Sequence, residues 1–267
     1  MLKNKKYFLF DIDGTLAVDD TLYEGSYDLI QYIEKINGRA FYITNNSVKS
    51  RKDYMEKFSR WEIQTDEDQF MTASYVTVCY LLEHYSNKKI FAVGTPSFVE
   101  ELRLSGLHVT EEEMNQIDCV VVGFDRTLNY QKIENACELL TDPAIDYIGT
   151  NPDLRCPTAF GFIPDCGAIC NMISAAVDRE PYYVGKPNKE IVEMCMRQVN
   201  AKKEEVLVVG DRLYTDIACG INAEVDTAVV FTGEAKKEDL LDTIYKPDYV
   251  FEHIKDLYEA LKEAKQE

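Results

Sequence analysis

Positive charge is scarce in this chain: 29 Lys and Arg stand against 47 Asp and Glu over 267 residues, a formal net charge of -18. A field of that sign repels nucleic acid and anionic membrane surfaces, so neither is expected as a partner. Long apolar runs are missing as well. No segment approaches the length needed to span a bilayer, and the four-residue apolar run in "MLKNKKYFLFDIDG" is too short for a signal peptide. No GxGxxG follows any predicted strand, which counts against a nicotinamide-binding domain. Histidine is limited to His84, His108 and His253, far apart in sequence, and Cys166 and Cys170 form a single helically spaced pair. Zinc chemistry therefore has no ligand cluster to start from. The eight cysteines are scattered through apolar stretches without tight repeated pairs, and read as reduced, buried thiols of a cytoplasmic protein. Internal repeats and low-complexity tracts are also lacking.

What is there is the balance of a globular protein, 46% hydrophobic and 28% charged, in a chain long enough for one large domain or two modest ones. Four short apolar runs stand out: "YFLFDI" (7–12), "AFYITN" (40–45), "VLVVGD" (206–211) and "TAVVF" (227–231). Their unbroken apolar character is that of strands covered on both faces. Between them lie amphipathic stretches such as "SYDLIQYIEKING" (26–38) and "KEIVEMCMRQVNA" (189–201), with apolar residues at helical spacing. This alternation predicts an α/β fold, a doubly wound parallel sheet with helices on both faces.

A second alternating block fills the middle: "KKIFAVG" (88–94), a helix near 97–105, "DCVVVGF" (118–124), a helix near 130–140, "AIDYIGTN" (144–151) and a helix from about Gly167 to Val177. We therefore expect a smaller α/β unit over 87–180, inserted in a core formed by 1–86 and 181–267. The charged C-terminal stretch "KDLYEALKEAKQE" reads as a surface helix that frays.

Three of the first four strands end in polar residues: Asp11, then Thr44, Asn45 and Asn46, then Gly210 and Asp211. In open parallel sheets, ligands bind outside the carboxyl ends of the strands. Side chains two apart in a strand point the same way, so Asp11 and Asp13 can share a pocket just past the strand end, with Gly14 allowing a sharp turn. Two carboxylates so close repel. They serve a cation, or divide the labour of nucleophile and acid–base group, or form no more than a solvated acidic turn. With a net charge of -18, an anionic substrate would need a local cation to meet it.

The stretch "DIDGT" resembles the first motif of the haloacid dehalogenase-like (HAD) phosphohydrolases, and the other motifs follow in order: "ITNNS" (43–47), the "GKP" containing Lys186, and "GDRLYTD" (210–216). Four ordered motifs across both halves of the core are far more specific than any one of them. The resemblance implies a Rossmann-like core in which Asp11 attacks phosphorus and forms an aspartyl-phosphate. Asp13 would protonate the leaving oxygen and later activate water. It further implies Mg2+ held by the Asp11 carboxylate, the Asp13 main-chain carbonyl and the Asp211 carboxylate, with Asp216 a direct or more distant partner. Thr44 and the main-chain N–H of Asn45 would clamp the phosphate, and Lys186 would neutralise its oxygens.

Only 28 residues separate Thr15 from Thr44, whereas 139 separate Asn46 from Lys186, room for a whole capping unit. The resemblance is thus to the NagD-like branch, with a large α/β cap in the second gap. Within it, "GTNPDLRCPTAFGFIPDCGAIC" (149–170) looks like the segment facing the active site. Asn151, Asp153 and Asp165 are its candidate specificity residues, although a plain strand-to-helix loop is an equal reading for any one of them. Asp165 stands where relatives usually carry glycine, so it should disfavour leaving groups bearing a second phosphate. Tyr214 replaces a frequent acidic residue; Asp216 keeps the needed spacing. The expected partner is a small-molecule phosphomonoester of a sugar, polyol or aryl alcohol, and caps in that branch sometimes pair, making a homodimer through the cap one expectation. The alternatives are a phosphosugar-binding sensor and a phosphotransferase or mutase on the same fold. Dehalogenation is disfavoured, since it has no need of Asp13.

Overall fold

The computed structural model describes residues 1–46, 50–112, 114–158 and 160–266. In chain order it begins with β1 (Tyr7–Phe10), the short hairpin of β2 (Ala17–Val18) and β3 (Thr21–Leu22), α1 (Ser26–Lys35), β4 (Arg39–Thr44), α2 (Arg51–Arg60) and β5 (Phe70–Thr72). There follow α3 (Ala73–Tyr85), β6 (Lys89–Val93), α4 (Pro96–Leu104), β7 (His108–Thr110), β8 (Cys119–Val122), α5 (Tyr130–Leu140) and β9 (Asp146–Gly149). Next come the hairpin β10 (Arg155–Thr158) and β11 (Gly161–Pro164), α6 (Cys166–Val177) and β12 (Tyr182–Tyr183). The chain closes with α7 (Glu190–Val199), β13 (Val206–Gly210), α8 (Ala218–Asn222), β14 (Asp226–Val230), α9 (Asp239–Asp242), β15 (Tyr249–Phe251) and α10 (Ile254–Gln266).

These elements form two compact units, one of residues 1–44, 49–71 and 186–267, the other of residues 45–48 and 72–185. The first is built on a sheet of order β15-β14-β13-β1-β4-β5. β1 pairs in parallel with β4 on one side and β13 on the other, Phe10 lying opposite both Tyr42 and Val209. The chain thus leaves β1 in one direction and returns beside it from the other, the switch point at which α/β sheets open a crevice. Phe8 and Phe10 pack on one face with Leu29, Ile30 and Ile33 of α1 and Ile254, Leu257 and Leu261 of α10. Leu9, Phe41 and Val208 are buried on the other. Burial on both faces explains why these strands read as unbroken apolar runs.

α10 does not stand free as a fraying helix. Three of its apolar residues enter the core, and near its end Lys265 Nζ donates to the carbonyls of Lys3 and Lys5. The amphipathic period was present in "KDLYEALKEAKQE", but its charge masked the stripe that Leu257 and Leu261 continue from Ile254.

The second unit carries an all-parallel sheet of order β12-β9-β8-β6-β7. α5 and α6 cover one face, through Ile133, Ala136 and Leu140 of the former and Ile169, Cys170 and Ile173 of the latter. The longer segment of this unit begins at Thr72, fifteen residues before the residue 87 expected from the sequence, and α3 is tied into it. Tyr85 Oη donates to Asp146 Oδ2 at 2.8 Å, and the rings of Tyr80 and Tyr182 stack 5.5 Å apart. All eight cysteines are free thiols, six of them buried. Among the described residues no helix is long and apolar enough to cross a membrane.

Candidate active site

Asp11 is the first residue past β1, where its N–H still donates to the Val209 carbonyl at 2.9 Å, so the carboxylate is fixed at the carboxyl edge of the central strand. Asp211 holds the equivalent place past the neighbouring β13. A single π turn at Leu213–Ile217 then swings Asp216 back beneath it. Such turns recur at functional sites. Carboxylate oxygens of Asp11, Asp211 and Asp216, all buried, come within 4.8 Å of one another. Glycine makes this approach feasible. Gly14 has φ +99°, and a Cβ there would lie 2.6 Å from Asp211 Oδ2; a Cβ on Gly233 would lie 2.0 Å from the same atom.

Lys186 closes the cluster. Its Nζ donates to Asp11 Oδ1 at 2.7 Å, Asp216 Oδ1 at 2.6 Å and the Ile43 carbonyl at 3.2 Å, completing the three bonds an ammonium can make. Asp216 Oδ2 accepts from the Arg212 N–H at 3.1 Å. Asp211 accepts from the Glu234 N–H at 2.7 Å and, weakly, from Thr15 Oγ1 at 3.4 Å. Burial drives the proton affinity of Asp11 well up, against the pull of Lys186 and with help from Asp216 and Asp211. Asp211 is pushed to about 6 by burial first and Asp216 second, with the Glu234 N–H opposing. For Lys186, burial alone would lower the pKa; the two carboxylates outweigh it and hold the ammonium charged far above neutrality.

Three carboxyl groups sharing one ammonium in a buried space make a donor set of hard oxygens suited to a divalent cation such as Mg2+. Asp211 makes no ion pair with Lys186, so of the three it is the carboxylate most dependent on such a cation.

Asp13 differs from its neighbour. Its side chain is 47% exposed, and its Oδ1 accepts from Lys57 Nζ at 3.2 Å. Thr44 ends β4 as a buried residue. Asn45 belongs to the second unit, where its Nδ2 donates to Asp153 Oδ1 at 3.3 Å and its carbonyl accepts from Asn151 Nδ2 at 3.2 Å. Asn151 Oδ1 in turn accepts from the Asp153 N–H at 3.0 Å. Asn151 and Asp153, the candidate leaving-group contacts, thus both hydrogen-bond to Asn45, Asn151 fully buried and Asp153 partly so. Asp165 is the N-cap of α6, its Oδ1 accepting from the Cys166 N–H at 2.6 Å. Tyr214 is half-exposed and donates to Glu234 Oε1 at 2.7 Å, outside the acidic cluster. Ser47, at the end of the second motif, lies outside the described residues. Sequence reasoning passed over Lys57, Gly233 and the Glu234 N–H. Lys57 carried a signal, being a charged residue beside Tyr54 and Phe58 on the apolar stripe of α2.

A parallel α/β sheet with acidic residues at its central carboxyl edge, a buried lysine and an inserted second unit defines a class of phosphate-processing hydrolases. The chain belongs to the haloacid dehalogenase-like hydrolase family: the family model of that description matches residues 8–108, and an HAD-hydrolase-like model matches 183–257. It is 31% identical to an acid sugar phosphatase of Staphylococcus saprophyticus over 98% of this chain and 99% of that one. It is 29% identical to a 5'-nucleotidase of Bacillus subtilis over 95% and 97%. Among solved structures, the 4-nitrophenylphosphatase of Thermotoga maritima superposes with a TM-score of 0.89 at 36% identity, covering 97% of this chain and 98% of that one. NagD of E. coli gives 0.85 at 28%, covering 94% and 98%. The protein is thus a NagD-like phosphoric monoester hydrolase.

Proposed function

We propose that this phosphatase hydrolyses small phosphomonoesters of sugars, polyols or aryl alcohols through an aspartyl-phosphate on Asp11, with Mg2+ as cofactor. The observation that carries the reading is the buried Asp11–Lys186–Asp216 ion cluster beside a half-exposed Asp13. Two carboxyl groups two residues apart thus sit in opposite environments, which suits one to nucleophile and the other to acid–base work.

In this reading Asp11 attacks phosphorus while Asp13 gives its proton to the departing ester oxygen. Asp13 then takes a proton from the water that cleaves the aspartyl-phosphate. Lys186, held by two carboxylates and a carbonyl, offers fixed positive charge to phosphoryl oxygens, and Thr44 and the Asn45 N–H are the donors assigned to the same group. The Asp11 and Asp211 carboxylates and the Asp13 carbonyl would hold Mg2+, with Asp216 acting chiefly through Lys186 and the Arg212 N–H. The bound cation supplies charge neutralisation that keeps Asp11 ionised and lets it meet an anionic ester.

Substrate choice we assign to the inserted unit: Asn151 and Asp153 by holding Asn45, and Asp165 by adding negative charge against leaving groups with a second phosphate. The named activities of the acid sugar phosphatase and the 4-nitrophenylphosphatase support the sugar and aryl classes. Eight free thiols support a reducing, cytoplasmic setting. A homodimer through the insertion is the assembly expected of this branch, and light scattering on the purified protein tests it. Free phosphate released from glycerol, sugar and p-nitrophenyl phosphates with Mg2+, and none after chelation, is the result expected. A labelled acceptor without free phosphate would instead indicate a phosphotransferase, and tight binding without turnover a sensor.

A further inference from the structure

We propose that Lys57 is a positioning residue for Asp13, holding Oδ1 so that Oδ2 is the oxygen that passes the proton to the leaving group and takes it back from water. The inference rests on the reading of Asp13 as the acid–base group.

Lys57 lies on the buried face of α2 with Tyr54 and Phe58, and its side chain is 2% exposed. Its Nζ sits 3.2 Å from Asp13 Oδ1 and 5.1 Å from the centre of the Trp61 ring. That ring is itself held, Nε1 donating to the Asp20 carbonyl at 2.8 Å, while Phe58 packs on it at 5.1 Å. Burying an ammonium is costly unless its donors are met. Lys5 and Lys186, the other two fully buried lysines, each find three acceptors, including main-chain carbonyls. Among the described residues Lys57 finds one hydrogen-bond acceptor, the side chain of Asp13. A lysine kept only for the fold would be better placed as a leucine packed on Trp61. Its position makes sense as a fixed donor aimed at Asp13.

The consequence is geometric. The terminal torsion of an aspartate is broad, so a half-exposed carboxyl left to itself would swing. An ammonium only donates, so Oδ1 must stay an acceptor and the acid proton must ride on Oδ2. In the first half-reaction that proton moves to the ester oxygen as the P–O ester bond breaks and the Asp11–phosphorus bond forms. In the second, water bonds to phosphorus, its proton goes to Oδ2 and the Asp11–phosphorus bond breaks, restoring both carboxyl groups.

The test compares kcat/KM, which reports steps up to loss of the leaving group, on glycerol phosphate and on p-nitrophenyl phosphate, whose phenolate leaves without needing a proton. Lys57→Met should lose about 10- to 100-fold on glycerol phosphate and less than about 3-fold on p-nitrophenyl phosphate, with Lys57→Arg recovering most of the difference. Equal losses on both substrates, or no loss on either, would overturn the proposal. Asp13→Asn is the control: if it too fails to distinguish the substrates, the acid–base reading of Asp13 falls and takes the Lys57 role with it. Should Lys57→Met not fold, Lys57→Gln provides the same ratio.

Discussion

Lys186 and Asp216 form a buried ion pair, Nζ to Oδ1 at 2.6 Å, and the same nitrogen reaches Asp11 at 2.7 Å. One ammonium thereby links the end of β1 to the π turn after β13, with the Ile43 carbonyl of β4 as its third contact. Three adjacent strands are tied at the edge where the candidate nucleophile stands.

Lys186→Met leaves Asp11 and Asp216 buried without their counter-charge. Breaking such a pair typically costs about 3–5 kcal/mol. We expect a clear drop in melting temperature together with a loss of about 10²- to 10³-fold in kcat/KM. Added Mg2+ should recover part of the stability and little of the activity. Normal melting with normal turnover would remove Lys186 from the site.

The acidic cluster also sets a pH dependence. Burial and Asp216 raise Asp211 to about 6, and Asp11 shifts in the same direction. A carboxyl whose folded pKa exceeds its unfolded value of about 3.9 stabilises fully below that value and loses the contribution as pH rises through about 6. Metal-free protein should therefore forfeit this stabilisation toward neutrality, where a bound cation replaces the lost proton. The gain in melting temperature on adding Mg2+ should be small at pH 5 and larger at pH 7.5. A gain independent of pH would contradict the assignment of Asp211 to the cation.

Gly14→Ala probes the same pocket by shape. The backbone there is left-handed and the new Cβ would strike Asp211 Oδ2 at 2.6 Å. Weaker Mg2+ binding by calorimetry and a lower melting temperature are expected together. Unchanged affinity for Mg2+ would mean that Asp211 can move without cost.

Asp165 carries two separable expectations. As the N-cap of α6, its replacement by alanine should cost about 1 kcal/mol, read by urea unfolding. As a negative charge in the insertion, its loss should raise rates on nucleoside diphosphates relative to glycerol or sugar monophosphates. An unchanged ratio would leave Asp165 with the capping role alone.

The parallel strands were legible because burial on both faces writes itself as unbroken apolar runs at 7–12, 40–45, 206–211 and 227–231, and the polar residues ending three of them marked the carboxyl edge of the sheet. β5, β7 and β15 escaped because each is only three residues long, too short for a period to register. The acidic trio and Lys186 could be named from motif order, yet their mutual geometry depends on Gly14, Gly233 and a π turn, features with no periodic signature. Asn151 and Asp153 show the same limit from the other side. Both could be named as candidate contacts from their place in a Pro- and Gly-rich loop, whereas their long-range pairing with Asn45 has no local signature in the sequence.

The central claim is covalent chemistry at Asp11, and trapping tests it most directly. Asp13→Asn protein mixed with p-nitrophenyl phosphate and Mg2+, acid-quenched within one turnover and reduced with borohydride, should carry the mass change of homoserine at position 11. An unmodified Asp11 in that sample, with p-nitrophenolate and phosphate released in step from the first turnover, would contradict the account.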